Sequence, residues 1–171
     1  MTYNMHPLFV HFPIAFLFVY SAIKVLPLER LLPRVSWKHI ERALLLLGVL
    51  GAFAALSTGE LAEQLVRPDS DLVEAHSFFA DTATALYAFL LLGEVLSFFE
   101  ASLISRLKMP ALEKPLFFVK NILVHPAFSR VLAVLGLIAI SLTGLLGGAI
   151  VYGTSADPMA GIVMNLLGIR Q

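Results

Sequence analysis

The residues with the widest chemical reach in this 171-residue chain are five histidines, His6, His11, His39, His76 and His125, and there is no cysteine. Imidazole suits iron, copper and zinc alike. The absence of cysteine excludes disulfides, iron–sulfur clusters and thiolate-held zinc. It also excludes c-type haem, whose attachment needs a Cys-x-x-Cys-His site. A b-type haem remains, because it needs only axial ligands and a slot for a flat macrocycle. Enzyme chemistry has little support. No HExxH zinc motif, P-loop or GxSxG elbow occurs, and a lone Ser or Thr cannot serve as nucleophile without a base in reach. The chain reads as a binding or electron-transfer subunit rather than an enzyme.

The elements that position these histidines are membrane spans. The chain is 58% hydrophobic and only 14% charged, with a mean hydropathy of +0.86. A soluble domain carries about 25% charged residues, and one this short leaves much of its surface exposed. The natural solvent is therefore lipid. Formal net charge is zero, so no basic field attracts nucleic acid. The start of the chain lacks the basic region and cleavage site of a signal peptide, so the first apolar segment reads as retained.

Four stretches have the roughly 20 apolar residues that a helix needs to cross the hydrocarbon core. They run over residues 7–26, 40–61, 76–98 and 131–152. The expected fold is one all-α domain over residues 1–171, an up-down bundle of four transmembrane helices. Residues 110–123 mix apolar and basic side chains as an interfacial helix does, and 159–167 could lie likewise at the other surface. No internal repeat or low-complexity segment is visible.

Basic residues set the direction. Lys24, Arg30, Arg34, Lys38 and Arg42 cluster in or beside the first connection, and Arg106, Lys108, Lys114, Lys120 and Arg130 in the third. The second holds Arg67 against Glu60, Glu63, Asp69, Asp71 and Glu74, and the tails add only Arg170. The positive-inside rule then places both termini outside the cytoplasm, in the periplasm if the membrane is a bacterial inner membrane.

This topology gathers His6, His11 and His76 near the outer surface and leaves His39 and His125 at the inner one. Spans one and three run in the same direction and sit across a diagonal, where two histidines at similar depth could bind one iron from opposite sides. The other diagonal is rich in small residues. Thr58 and Gly59 close the second span, and Gly144, Gly147 and Gly148 the fourth, lining a slot for a macrocycle. Each signal also has an ordinary explanation. His11 could bond a carbonyl freed by Pro13, His6 could decorate a helix start before Pro7, and His76 could be interfacial. Small residues pack membrane helices together without any cofactor. Asp81 could orient a histidine or pair structurally.

The segment HPLFVHFPIAF, from His6 to Phe16, resembles the opening of a widespread bacterial family of small four-helix membrane proteins of unknown function. The stretches STGELAE (57–63), EAHSFFADTA (74–83) and TGLLGGAIVYG (143–153) are similar to that family's later motifs, in the same order. The resemblance implies His6, His11 and His76 as motif histidines and supplies no activity. The layout resembles that of b-type cytochromes, an analogy of fold that does not fix function.

The expectation is therefore a b-type haem protein with His11 and His76 as axial ligands and His6 and Asp81 as polar support. It would pass electrons between a quinol or membrane partner and a periplasmic carrier. A copper or zinc site of His6, His11, His76 and Glu60 is the alternative. A cofactor-free scaffold or assembly subunit is the third reading. A homo-oligomer or larger membrane complex fits any of them. A second haem between His39 and His125 is disfavoured, since both lie at helix edges beside Lys38 and Pro126.

Overall fold

The computed structural model describes residues 5–66, 70–107, 110–153 and 157–169, and the described residues are helical almost throughout. Helix α1 spans His6–Val25, and its 20 residues make a rod of about 30 Å, the thickness of a hydrocarbon core. Pro7 sits in its first turn, where no helical N–H is lost. A short turn of helix, α2 (Leu28–Leu31), leads to α3 (Trp37–Val66). Then follow α4 (Ser70–Leu107), α5 (Pro110–Val124), α6 (Pro126–Tyr152) and α7 (Pro158–Leu167). The side chain of Asp157 caps α7 by accepting the Met159 N–H at 2.8 Å, and Gly168, with φ 74°, ends it in a left-handed turn.

Four helices are long and apolar enough to cross a membrane, over His6–Val25, Trp37–Gln64, Asp71–Phe98 and Pro126–Tyr152. These match the four expected spans. The structure adds that α3 and α4 run well past the hydrocarbon thickness. Arg67, Asp69, Lys108 and Arg170, which enter the charge count of the connections, lie outside the described residues.

The four spans form a square. α1 packs on α3 and α6, and α4 packs on the same two helices, so α1 and α4 face each other across the diagonal as the sequence implies. Close approach is set by glycine. Gly48 lies under Leu17 and Gly51 under Pro13 along α1–α3, and Gly136 lies under Tyr87 along α4–α6. The centre is filled by Leu17, Tyr20, Leu45, Val49, Tyr87 and Ala133. There Ser21 Oγ and Tyr87 Oη lie 2.7 Å apart, so each of these buried hydroxyls has a partner. Phe12, Phe18, Leu50, Phe53, Phe89 and Ile138 point outward and are exposed, the apolar girdle of a chain dissolved in lipid.

One end of the square carries His6, His11 and His76, and the other is fastened by ion pairs. Lys24 meets Glu41 at 2.8 Å, tying α1 to α3, and Arg42 meets Glu94 at 2.8 Å, tying α3 to α4. Helix α5 is more than a surface float: Leu123 presses on Gly93, so α5 packs against α4. At the histidine end α7 buries Ala160 and Met164 in a cluster with Leu72, Leu146 and Ala149.

Candidate functional site

His6 and His76 open the histidine end from opposite corners of the square, and each ring is seated on the helix beside it. The His76 ring lies on Gly147, where an added Cβ would stand only 3.0 Å from its Cε1. Its Nδ1–H donates to the Thr143 carbonyl at 3.0 Å. The His6 ring lies on Gly59, with the corresponding distance 3.4 Å. Its Nδ1 is 3.1 Å from Thr58 Oγ1, and the imidazole also bonds the Ala55 backbone. Thr58 donates its own proton to the Ala54 or Ala55 carbonyl, at 3.1 and 3.0 Å, so it accepts from Nδ1–H. His76 is thus held as the tautomer with the proton on Nδ1 and the lone pair on Nε2, and His6 takes the same tautomer when Thr58 gives its own proton to a backbone carbonyl. The two imidazoles lie within electrostatic reach of one another.

The local sequence explains the seats. In a helix the carbonyl of residue i is covered by residue i+4. A glycine at i+4 leaves that carbonyl approachable, and its second lone pair can take an imidazole N–H. Ala55–Gly59 and Thr143–Gly147 are two such pairs. Gly144 and Gly148, on the same stretch of α6, are bare in another sense: no heavy atom lies within 4 Å of where a side chain would begin.

His11 does not join this group. It is exposed, and its Nδ1–H bonds the carbonyl of Pro7 one turn back. The reason is helical geometry: five residues at about 100° each place it ~140° around α1 from His6. The structure therefore places His6, rather than His11, at the bundle-facing positions of the histidine end along with His76. Asp81 is turned away from His76 by the same five-residue step and is also exposed, so it supports neither ring. Glu60 is exposed as well, and among the described residues no three His, Cys, Asp or Glu side chains group to hold a metal ion. His39 and His125 are exposed at the ion-paired end, His125 beside a shallow cleft lined by Phe118, Asn121, Ile122 and Phe128. Among the backbone acceptors, Thr143 and Ala55 are the residues missed by the sequence reading. The small-xxx-small spacing to Gly147 and Gly59 was the available signal.

The site also discloses a repeat. Eleven residues beyond His6 on α1 is Leu17, and eleven before Gly59 on α3 is Gly48, its contact. Eleven beyond His76 on α4 is Tyr87, and eleven before Gly147 on α6 is Gly136, its contact. The hairpins α1–α3 and α4–α6 therefore share one contact pattern, with the histidine pair at their junction. Parallel repeats about an axis along the membrane normal are a known membrane architecture. The sequence reading found none because only a few positions carry it.

Fold and girdle together define a multi-pass membrane protein with an up-down four-helix bundle. More narrowly, the chain belongs to the family of predicted membrane proteins designated DUF2231, whose model matches residues 2–157. No curated protein and no solved structure matches it.

Proposed function

We propose that this chain is a b-type haem protein of the bacterial inner membrane, in which His6 and His76 would hold the haem iron. It would carry single electrons between a quinol or other membrane partner and a carrier on the histidine side, the periplasm by the charge of the connections. The observation that carries this reading is the matched anchoring of the two imidazoles. Iron-ligating histidines characteristically give their other ring N–H to a carbonyl or similar acceptor, which fixes the tautomer and raises ligand basicity. Here Thr143 does this for His76, and Thr58 with Ala55 does it for His6.

The donor set suits haem b, which needs two neutral nitrogen ligands and no covalent link. Gly59 and Gly147 provide the ring seats, and the bare backbone of Gly144 and Gly148 is a surface that a flat group can approach. Haem, when bound, supplies one-electron chemistry. The residues of the chain hold the imidazoles and keep water from the apolar interior below them.

The test is an absorption spectrum of detergent-purified protein made with adequate haem supply, air-oxidised and then dithionite-reduced. A Soret band that shifts on reduction is expected, lost in His6→Ala and in His76→Ala and kept in His11→Ala. A featureless spectrum discards the haem reading. Metal analysis of the same sample then separates a copper or zinc site from a cofactor-free scaffold.

A further inference from the structure

Two ionisable residues face away from the bundle at a depth where lipid would have to solvate them. Helix α1 is as long as the hydrocarbon core is thick, so His6 marks one boundary of that core. His11 lies five residues past His6, and Asp81 five residues past His76. Both therefore sit ~7.5 Å below the histidine pair. Each is exposed: Leu8, Phe12 and Phe18 lie around His11, and Ser77, Phe78 and Ala85 lie around Asp81, so no charged side chain sits within a turn of either. Among the described residues no hydrogen bond or ion pair reaches Asp81. Ionisable groups within spans almost always face a protein interior or a partner, because hydrocarbon does not solvate them.

The two residues complement each other. His11 gives its Nδ1–H to Pro7, so Nε2 points outward, and a proton on Nε2 makes it a donor to a carboxylate. They also occupy equivalent places in the two hairpins, since His11 stands to His6 as Asp81 stands to His76. In a bundle with a pseudo-twofold axis along the membrane normal, equivalent positions face opposite sides at equal depth. A second bundle shifted sideways in the same membrane brings the α4 face of one copy against the α1 face of the other. His11 and Asp81 then meet at one level. We propose that copies of this chain associate in this way, with His11 of one copy paired to Asp81 of the next. Such a contact is heterologous, so it builds rings or open rows in the membrane plane.

The absence of cysteine makes the test clean. Differently tagged H11C and D81C variants are co-expressed, and native membranes are treated with a mild oxidant. The expected product is a mixed disulfide dimer, with little H11C–H11C or D81C–D81C product. In parallel, the mass of the native protein in nanodiscs or mild detergent should be a multiple of the 18.7 kDa chain. H11D alone and D81H alone should lose the assembly, and the H11D/D81H exchange should regain it. A monomeric native protein, homotypic products equal to the mixed one, or an exchange that fails to restore assembly would each overturn the proposal. None of these readouts depends on haem, so the two proposals fail separately.

Discussion

Replacing Gly147 by alanine should separate a histidine seat from a merely close helix crossing. The added Cβ would stand 3.0 Å from His76 Cε1 and 3.4 Å from its Nδ1. Carbon atoms prefer about 3.5–4.0 Å, so the ring must retreat by roughly half an ångström. The Nδ1–Thr143 bond, now 3.0 Å, would stretch to the edge of hydrogen-bonding distance. Overpacking costs about 1–3 kcal/mol and the weakened bond about 1 kcal/mol, offset by about 1 kcal/mol of better helix propensity. The net is a loss of about 1–3 kcal/mol. Gly148→Ala is the internal control: its Cβ meets nothing within 4 Å, so it should gain up to about 1 kcal/mol from propensity alone. Unfolding in detergent, followed by circular dichroism, should rank G148A above native and G147A below. Where haem is bound, G147A should also change the Soret band, because the His76 ring is displaced. Equal stability of the two variants with an unchanged spectrum would refute the seat.

Other consequences follow from contacts elsewhere in the bundle. Tyr87→Phe removes the 2.7 Å bond to fully buried Ser21 and should cost about 1–2 kcal/mol, read by the same unfolding assay. Adding Ser21→Ala should cost little more, because the pair acts as one unit. Arg42→Ala strands the half-buried Glu94 carboxylate and should destabilise by about 1–3 kcal/mol, whereas R42Q with E94Q should recover much of that loss. Asp157→Ala removes the cap of α7 and should cost about 1 kcal/mol. The effect should appear as faster hydrogen exchange confined to residues 158–167, with the four spans unchanged.

The spans, their alternation and the diagonal placement of the first and third were readable because hydropathy and helix length are coarse properties, set by the solvent. The choice between His6 and His11 was not coarse. It turned on which face of α1 is buried, and that face is marked by Pro13, Leu17, Tyr20 and Ser21. His6 falls on this face and His11 does not, as counting back from Leu17 in helical steps would have shown. The five-residue step that turns Asp81 away from His76 also turns His11 away from His6. The seats were half legible. Gly59 and Gly147 stood out as small residues, but that Ala55 and Thr143 would offer their carbonyls depends on the register of each hairpin, which no single-helix pattern encodes.

Comparing the two hairpins shows which features packing alone demands. At the deeper shared contact the partners differ, since Leu17 lies on Gly48 where Tyr87 lies on Gly136. Two unlike side chains fill those places, so the contact with glycine asks only for bulk, while the Tyr87 hydroxyl serves Ser21 instead. The ion pairs differ as well: Lys24–Glu41 lies within the first hairpin, and Arg42–Glu94 joins the first to the second. At the histidine end, by contrast, both hairpins use imidazole on glycine, with His76 Nδ1 tied to Thr143 one turn before its glycine and His6 Nδ1 tied to Thr58 directly before its own. An apolar ring would fill the same volume without placing a polar group at the edge of the hydrocarbon. What imidazole adds in both places is a nitrogen lone pair of fixed direction, and a pair of these at the junction of two hairpins suits a ligand shared between them.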